Sequence, residues 1–429
     1  MQKFFSTCLV TILLGVATGA SLDGVYHADR FRVYFNNDLG LIEVLETRDG
    51  ATTGFASFDQ MLREVGATDV KQWLPKATDF DRDGDIFLSR FYEVTLPDIR
   101  TNIQEVVSEF TSNEHILFAE RVPIYRLDYE PNDPRYNQQW YIPQVTVDFA
   151  WDMWDIAGGN EPGDENIVVG IVDTGCDWDH PDLIGNLWQN MDEDYDGDGA
   201  TIEYVGGSWQ LDSGDLNGVD DDGDGYVDNL IGWDIAMEDN NPVGPPSGPD
   251  RMHGTHVAGV PGAATNNNLG MASEGWTVKH MPIKCAQEDA DGIYGGYNGI
   301  LCAAQTGADI INCSWGGGGF SGGAQAVINV AYNNYGTIII ASAGNGDDFG
   351  NEEYAAHYPS GYEHVISVTA LGTNDAWNHW ATYHESVDFA APGENILSTV
   401  YANVSGGYES WMGTSMASPV VAGCYALLW

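Results

Sequence analysis

The sequence predicts a doubly wound α/β domain with a mostly parallel sheet, preceded by a small α+β unit. From Gln138 onward, short continuous apolar runs are bounded by Gly, Pro, Asn or Asp, and helical stretches lie between them. Strands that are apolar on both faces are typical of a parallel sheet covered by helices. Over residues 21–130, strand-like and helix-like segments alternate over about a hundred residues, as in a small α+β domain.

The first unit covers residues 21–130. Alternating apolar positions predict strands, and apolar residues three and four positions apart predict helices. The expected strands are residues 31–35, 86–96 and 116–125, and the expected helices are residues 57–65 and 99–110. Linker-type residues follow at Glu130-Pro-Asn-Asp-Pro134. We therefore expect the second domain to span residues 131–429.

The second domain contains the continuous apolar runs. We expect core strands at residues 167–172, 310–313, 337–341 and 365–370, and helices at residues 257–264, 298–306 and 324–335. Pro261 and Gly262 predict that the first of these helices is short or kinked. Ligands of doubly wound domains bind at the carboxyl ends of the strands. Because Asp173, Ser314 and Asn345 stand at or just past such ends, we expect a substrate to lie beside them.

The chain carries 64 acidic residues against 16 lysines and arginines, which gives a formal net charge of −48. Such a charge repels nucleic acid and anionic membrane surfaces, so neither is an expected partner. Two causes would explain the charge: bound cations, or life in high salt that screens self-repulsion. Lysine occurs at only five positions, which suits a saline habitat.

Residues 1–20 are typical of a secretory signal peptide. Lys3 lies in a short basic segment, an apolar stretch covers residues 8–16, and small residues follow at the expected cleavage site. The apolar stretch is too short to span a bilayer. No other segment resembles a transmembrane helix, so we expect a secreted protein without a stable membrane anchor. Most of the five later cysteines lie in apolar runs, which favours buried free thiols.

A serine stands at the start of the last apolar run, in Gly413-Thr-Ser-Met-Ala-Ser-Pro419. Pro419 is tolerated only near a helix start, so the helix is expected to begin within about one turn of Ser415. Free N–H groups and the helix dipole would then favour negative charge beside the Ser415 hydroxyl. An ordinary helix cap fits the same residues equally well. A base and a carboxylate elsewhere in the chain decide between the two.

Asp173 and His253 are the candidates for these two groups. A carboxylate at the end of a core strand can stay ionised and orient an imidazole, although such an Asp also fits a turn or a helix cap. His253 opens a predicted helix in His253-Gly-Thr-His-Val-Ala-Gly259. Asp, then His, then Ser is the chain order found in subtilisin.

Three segments resemble the signature segments of the subtilisin-like (subtilase) serine peptidases, and the similarity extends from about residue 132 to the last residue. They are Asp173-Thr-Gly with His180-Pro-Asp182, His253-Gly-Thr-His-Val-Ala-Gly259, and Gly413-Thr-Ser-Met-Ala-Ser-Pro419. The resemblance implies a secreted endopeptidase that hydrolyses peptide bonds of protein or peptide substrates. It assigns orientation of the imidazole to Asp173, general base and acid catalysis to His253, and nucleophilic attack that forms an acyl-enzyme to Ser415.

Two further segments resemble the family's substrate-handling parts. In Ala341-Ser-Ala-Gly-Asn345, the resemblance implies that the Asn345 amide donates to the oxyanion, although Gly-Asn is also an ordinary turn pair. Ser314-Trp-Gly316 is similar to the edge segment that pairs with an extended substrate backbone. The expected substrate-binding residues are Ser314, Trp315, Gly316, Ser342 and Gly344. We expect hydrophobic substrate side chains before the cut, because these residues include no acid.

An acidic insertion covers about residues 186–250. One stretch, Asp192-Glu-Asp-Tyr-Asp-Gly197 with Glu203, fits the calcium-loop pattern D-x-D-x-D-G-x5-E, and Asp220-Asp-Asp-Gly-Asp-Gly225 is a second loop without the final glutamate. Solvated acidic loops are the alternative. Because clustered carboxylates repel unless a cation neutralises them, we expect structural Ca²⁺. The expected ligands are Asp192, Asp194, Asp196, Glu203, Asp220, Asp222, Asp224 and Asp228.

The family resemblance also implies that residues 21–130 are a propeptide, which assists folding and inhibits the enzyme until it is cut off. We expect the cut between Tyr125 and Gln139. Family members continue beyond the serine helix, whereas this sequence stops at Trp429, 14 positions after Ser415 (429 − 415 = 14). A C-terminally truncated peptidase domain is therefore expected.

Two other functions compete with a serine peptidase. A catalytically silent, acidic calcium-binding adhesion or interaction protein on the same scaffold would explain the charge. It would have no need for Asp173, His253, Ser415 and Asn345 together. A zinc peptidase is suggested by the pair His253 and His256, but Gly254 stands where H-E-x-x-H requires glutamate and the spacing is one residue short.

Overall fold

The structure, a computed structural model, describes residues 26–47, 50–97, 102–123, 129–289, 292–347, 350–377 and 379–429. The chain forms two compact units, Met1–Leu127 and Asp128–Trp429. The predicted signal peptide at residues 1–20 lies outside the described residues, as do residues 124–128, which include the start of the predicted cleavage region.

The first unit is built on a four-stranded antiparallel sheet. In spatial order the strands are Asp69–Gln72, Phe91–Thr95, Tyr26–Phe35 and Ile116–Pro123. Helices Ala56–Glu64 and Ile103–Thr111 contribute to the core, where Phe58 and Phe110 pack against Phe31 and Phe35. Two small hairpins complete the unit, Leu45–Thr47 with Gly50–Thr52 and Arg82–Asp83 with Ile86–Phe87.

The first unit differs from the sequence prediction in two places. The expected strand at residues 86–96 is interrupted, because a 3₁₀ turn at Leu88–Arg90 separates the hairpin strand from Phe91–Thr95. The strand Asp69–Gln72 was not predicted. It lies at the edge of the sheet, and only Val70 is buried among its residues. Such an edge strand needs few apolar residues, and the alternating pattern is therefore weak.

The second unit confirms the doubly wound α/β fold. Its central sheet is parallel throughout, with the strands in the order Trp233–Asp234, Lys279–Lys284, Val168–Asp173, Ile310–Cys313, Ile338–Ser342, Val365–Leu371 and Phe389–Pro392. The helices are Tyr141–Val145, Val147–Trp151, His253–Gly262, Gly296–Gln305, Gly322–Tyr335 and Thr414–Leu428. Two antiparallel hairpins lie outside this sheet, Ile202–Val205 with Ser208–Leu211 and Ile396–Thr399 with Tyr408–Trp411.

The sheet is buried on both faces, as the continuous apolar runs predicted. Along one central strand, Val169 and Ile171 join a core cluster that includes residues of the helices His253–Gly262 and Thr414–Leu428. The alternate residues Val168 and Val172 join a second cluster with the other two long helices. This packing is the reason that the strands read as apolar at every position rather than at every second one.

The strand Lys279–Lys284 was not predicted because it contains two lysines, a histidine and a proline. The structure buries these polar groups with partners. Lys284 Nζ lies 2.8 Å from an Asp234 carboxylate oxygen on the neighbouring strand. The ring of His280 is hydrogen-bonded to the Leu183 carbonyl, and burial lowers the pKa of His280 to about 4, so the ring is neutral at pH 7. Partners that are distant in sequence leave no local signal.

Three adjacent strands of the sheet end at Asp173, Cys313 and Ser342. The helix that begins at His253 is short, ten residues, and ends at Gly262 directly after Pro261. The cysteines that the structure describes are all unpaired, and four of the five are buried. Within the described ranges, we find no helix with the length and apolar content that a membrane crossing requires.

Candidate active site

Asp173 and His253, 80 positions apart in the chain, are in direct contact. The Nδ1 atom of His253 lies 2.7 Å from Oδ1 of Asp173. The carboxylate is buried, and the same oxygen accepts a second hydrogen bond from the Thr174 N–H at 2.7 Å. A carboxylate acceptor requires the proton on Nδ1, and the deprotonated Nε2 is then left to act as a base.

The environment of His253 raises its pKa above the ordinary value of 6.5. Burial by itself would lower the pKa, because it disfavours the charged ring. The negative charge of Asp173, the hydrogen bond to it and the charge of Asp250 outweigh that effect. About a fifth of the His253 side chain remains exposed, so the ring is open to a substrate.

The helix Thr414–Leu428 begins one residue before Ser415, as Pro419 predicted. Pro419 has no N–H, so the Ser415 carbonyl lacks the partner that a helix would normally provide four residues on. The Ser314 hydroxyl fills this gap by donating to the Ser415 carbonyl at 2.8 Å. In turn, the Ser415 hydroxyl donates to the Ser314 carbonyl at 2.9 Å. Two hydrogen bonds therefore fix the serine to the end of a core strand.

The Ser415 hydroxyl has one proton, and in this structure it goes to Ser314 rather than to His253. Catalytic hydrogen bonds are often long or unformed without substrate and tighten when it binds. Ser415 and His253 line the same cavities, although the Ser415 hydroxyl donates to Ser314 in this structure.

Asn345 is held in one orientation by Thr414. Its side-chain oxygen accepts from both the N–H and the hydroxyl of Thr414, each at 2.9 Å. The Thr414 hydroxyl also accepts from the Gly344 N–H at 3.1 Å. Because the oxygen is occupied, the amide NH₂ of Asn345 is turned away from this clamp. A Cβ atom placed on Gly413 would lie 3.6 Å from both this amide nitrogen and the Ser415 nitrogen, so both donors border the space beside Gly413.

Two cavities meet at these residues, and His253, Asn345 and Ser415 line both. The first, of about 530 Å³, is also lined by Ser314, Trp315, Gly316, Ser342, Gly344, His357, Tyr358, Ile293 and Tyr297. The second, of about 520 Å³, continues past Asn395, Trp411 and Met412. An oriented base, a hydroxyl and two donors at the junction of two open clefts form a site suited to cleaving an extended chain.

The family model described as the subtilase family matches residues 164–429. The chain belongs to the subtilase family. Together with its relatives, this match identifies a subtilisin-type serine endopeptidase.

Three relatives illustrate the similarity of this subtilase to known peptidases. The thermophilic serine proteinase of Bacillus sp. (strain AK1) is 30% identical over 369 residues, which cover 86% of this chain and 73% of that protein. Thermitase of Thermoactinomyces vulgaris is 33% identical over 301 residues, 70% of this chain and 85% of that protein. The extracellular basic protease of Dichelobacter nodosus is 32% identical over 364 residues, 78% of this chain and 54% of that protein.

All five residues predicted to bind substrate line the first cavity of the subtilase. The Ser314 side chain is nevertheless turned inward, where its oxygen accepts from the Asn312 amide at 2.9 Å, so only the backbone of Ser314 is available to a substrate. The Trp315 ring forms part of the wall. Its N–H donates to the Val172 carbonyl at 2.7 Å, and the ring lies close to Gly296.

His256 has a structural environment in this subtilase. Its ring stacks on Trp411 with centroids 4.5 Å apart, and Nε2 is hydrogen-bonded to the Glu409 carbonyl at 3.2 Å. Burial, and next the charge of His253, lower the pKa of His256 to about 3, so the ring stays neutral. His253 is engaged with Asp173 instead, and the two imidazoles therefore do not form the zinc pair of the competing hypothesis.

The acidic insertion of the subtilase contains two groups of carboxylates whose oxygens lie within 4.8 Å of one another. They are Asp194, Asp196 and Asp198, and Glu193, Asp220 and Asp222. The first loop begins at Asp194, two residues later than predicted, because the Asp194 carboxylate accepts from the N–H groups of Gly197 and Gly199. Asp192 and Glu203 lie outside it, because Asp192 is on a preceding 3₁₀ turn and Glu203 is on a hairpin strand. Asp228 also lies apart, since its carboxylate accepts from the N–H groups of Asn217 and Gly218.

Asp224 stands at the third position of the second loop, but its carboxylate already has protein partners. One oxygen accepts from the Tyr226 N–H, and the other accepts from the Asn229 amide and the Thr306 hydroxyl. Asp224 is therefore absent from the group of close carboxylates, and its predicted role as a ligand has less support than those of Asp220 and Asp222.

Sequence reasoning missed several residues of the site. Thr414 was considered only as a helix cap, although it clamps Asn345. His357 and Tyr358 lie in a loop without a motif and reach the first cavity through the fold alone. Gly316 and Gly344 are close to the His357 ring, where an added Cβ would come within 2.2 Å and 3.0 Å of ring atoms. Neither contact has a pattern that the sequence could reveal.

Proposed function

We propose that Asp173, His253 and Ser415 form the catalytic triad of this subtilase. The observation that carries the proposal is the 2.7 Å contact between Asp173 and His253 in a cleft that Ser415 also lines. In the proposed reaction, His253 Nε2 takes the Ser415 proton as the hydroxyl oxygen attacks the scissile carbonyl, and a tetrahedral intermediate forms. His253 then gives this proton to the amine as the C–N bond breaks, which leaves the acyl-enzyme, and water hydrolyses the acyl-enzyme by the same route.

The proposed oxyanion donors are the Asn345 amide and the Ser415 N–H. Thr414 supports this role because it occupies the Asn345 oxygen and leaves only donors to face the substrate. The Ser415 N–H is in the first turn of its helix, where backbone donors have no intrahelical acceptor. Both donors are fixed before the reaction begins, and such preorganisation is what stabilises developing charge.

The first cavity is the proposed site for the substrate residues before the cut. Ile293, Tyr297, Trp315 and Tyr358 supply apolar lining, which favours hydrophobic side chains. Burial lowers the pKa of His357 below the ordinary value, so that this ring adds a neutral polar group rather than a cation at pH 7.

A fluorophosphonate probe tests the proposed function. We expect the mature protein to form one covalent adduct, on Ser415, with parallel loss of casein hydrolysis. Mass spectrometry of the digested protein locates the adduct. Denatured protein is the control, because an unfolded serine has no base to activate it. An active peptidase without an adduct on Ser415 would refute the triad assignment, and a folded, inert protein without an adduct would favour the silent binding protein.

Calcium is the proposed ion for the two groups of carboxylates in the insertion. Hard oxygen ligands at alternate positions around glycines suit Ca²⁺. We expect removal of calcium with EDTA to lower the melting temperature by about 5–10 °C and to hasten self-digestion, since an ion at a hundred times its Kd stabilises by about 2.7 kcal/mol. Calorimetry with and without added Ca²⁺ measures this shift, and an unchanged melting curve would count against calcium.

Residues 21–130 are proposed to be a propeptide, and the protein is proposed to be secreted as a proenzyme. Support comes from the separate compact unit Met1–Leu127 and from relatives such as the extracellular basic protease. In this proposal the unit assists folding and inhibits the peptidase until it is cleaved. N-terminal sequencing of the mature product is expected to give a start between Tyr125 and Gln139, and a mature protein that retains the first unit would contradict the proposal.

A further inference from the structure

The acidic insertion contains the same hydrogen-bonding pattern twice. We define the first loop as residues 194–200 and the second loop as residues 220–226. In the first, Asp194 accepts from the N–H groups of Gly197 at 2.8 Å and Gly199 at 3.0 Å. In the second, Asp220 accepts from Gly223 at 2.6 Å and Gly225 at 3.0 Å. The loops therefore have one geometry, offset by 26 positions.

The next two aspartates of each loop repeat this correspondence. Their carboxylates each accept from the N–H two residues further on, at distances of 2.8–3.1 Å. These residues are Asp196 and Asp198 in the first loop and Asp222 and Asp224 in the second. The close carboxylates within the loops are Asp194, Asp196 and Asp198 in the first and Asp220 and Asp222 in the second, although hydrogen bonds alone do not establish a ligand there.

A buried carboxylate from outside each loop supplies the independent observation. Glu193 is fully buried, and its Oε1 accepts hydrogen bonds from the backbone N–H groups of Asp221 and Asp222 in the second loop. Its other oxygen is also buried and has no partner. One carboxylate oxygen of Glu193 lies within 4.8 Å of one oxygen each of Asp220 and Asp222. A buried oxygen without a donor costs free energy unless a cation or a proton compensates it.

Asp215 contacts the first loop from outside, although it does not belong to the group of Asp194, Asp196 and Asp198 whose oxygens lie within 4.8 Å of one another. It is fully buried, and its Oδ1 accepts from the Asp196 N–H at 3.3 Å, the same loop position that Asp222 occupies for Glu193. Its Oδ2 is buried and without a partner, as in Glu193. Each loop therefore has one external buried carboxylate with one oxygen on the loop backbone and the other oxygen free.

The two external carboxylates are exchanged between the loops. Glu193 directly precedes the first loop but serves the second, whereas Asp215 precedes the second loop by five residues but serves the first. Residues 192–228 contain 13 acidic residues and no Lys, Arg or His. No basic side chain of this segment is therefore available to neutralise the buried charges.

We propose that the insertion binds two divalent cations, with Asp215 completing the site of the first loop and Glu193 completing the site of the second. Each ion then links one loop to a residue that lies next to the other loop in the sequence. Together the two ions connect the two loops of the segment. This inference deepens the proposed calcium binding and rests on it. The shared donor set is carboxylate oxygen, which suits Ca²⁺.

The test counts bound calcium in the full chain carrying Ser415→Ala, which prevents self-digestion. After removal of metal and addition of Ca²⁺, mass spectrometry of the gel-filtered protein gives the number of ions, and calorimetric titration gives each Kd. We expect two ions per chain, one ion in Glu193→Gln, one in Asp215→Asn and none in the double variant. The substitutions keep the side-chain size and remove the charge.

Asp192→Asn and Asp221→Asn are the matched controls. Each removes a charge from an exposed residue next to a proposed ligand but outside both groups, so both variants are expected to bind two ions. If Glu193→Gln does not fold, Glu193→Asp replaces it. This variant keeps the charge but withdraws the oxygens by one carbon, so a tenfold or greater weakening of one ion is expected.

The outcomes separate this inference from the calcium proposal. Two ions of unchanged affinity in both Glu193→Gln and Asp215→Asn would overturn the roles of Glu193 and Asp215 as ligands while calcium binding stands. No ion in the parent chain would overturn calcium binding itself. Loss of an ion in the two control variants as well would assign binding to the net charge of the segment and would likewise refute the specific roles of Glu193 and Asp215.

Discussion

Replacing His253 with alanine is expected to reduce kcat by about 10⁶-fold. In subtilisin, loss of the histidine alone costs about as much as loss of the whole triad, because the three groups act as a unit. His253 Nδ1 lies 2.7 Å from Asp173, and removal of the His253 ring would leave Ser415 without its proposed base. The measurement is kcat for hydrolysis of a peptide anilide, taken from initial rates at saturating substrate.

His379→Ala is the matched control for this prediction. The His379 side chain is 84% exposed, and its Nδ1 lies 3.4 Å from a Glu352 carboxylate oxygen. Activity of this variant should equal that of the parent. Retention of more than a hundredth of the activity in His253→Ala, with normal activity in His379→Ala, would exclude His253 as the base.

The pH profile gives a second measurement of the same residue. Only the neutral ring of His253 can accept the serine proton, and the pKa of His253 is raised above 6.5. We therefore expect kcat/KM to be full at higher pH and to fall as the pH decreases through this raised pKa. Asp173→Asn removes the attraction that stabilises the charged ring, so the remaining activity should show its inflection at lower pH.

Replacing Asn345 with alanine is expected to reduce kcat by about 10²–10³-fold and to leave KM nearly unchanged. The amide is proposed to act on charge that develops only in the transition state, so its loss does not weaken ground-state binding. Steady-state kinetics on one peptide substrate measure both parameters. An equal change in KM with constant kcat would instead assign Asn345 to substrate binding.

Two variants define the specificity of the Asn345 result. Thr414→Val keeps the shape of the side chain but loses the hydroxyl that holds the Asn345 oxygen at 2.9 Å, and a smaller loss of kcat is expected. Asn329 is on the helix Gly322–Tyr335 and lines neither cavity, so Asn329→Ala should leave kcat and KM unchanged. If Thr414→Val leaves kcat unchanged, the clamp does not determine the position of the amide.

The parts of the fold that the sequence predicted are those in which burial leaves a local pattern. Residues 310–313 read as a strand because Ile310 and Ile311 face opposite core clusters, so apolar residues occupy both faces and only Asn312 interrupts the run. Lys279–Lys284 lies beside them in the same sheet and was missed, since Lys284 is buried against Asp234, 50 positions away. The apolar pattern of a sequence predicts burial among apolar residues. It does not predict the burial of polar groups whose partners are distant in the chain.

The candidate site shows the same division. Asp173, His253 and Ser415 each stand in a short motif at the end of a predicted element, so their positions followed from the sequence. Their roles stay a prediction until the variants are measured. The Ser314 side chain points inward, and Thr414 holds the Asn345 side chain, because the start of the helix Thr414–Leu428 packs against the ends of two strands. The sequence pattern does not predict this packing. The first acidic loop was predicted to start two residues too early, because aspartates at 192, 194, 196 and 198 allow the same pattern to be placed at either of two starting points.

The proposed site is assembled from residues that are far apart in the chain. Ser415 and Ser314 are 101 positions apart, and Asp173 is 80 positions from His253. Contacts between such distant residues form only after long loops have closed. Under the proposed mechanism, a nascent or half-denatured chain is therefore harmless, and cutting starts only when the sheet is assembled.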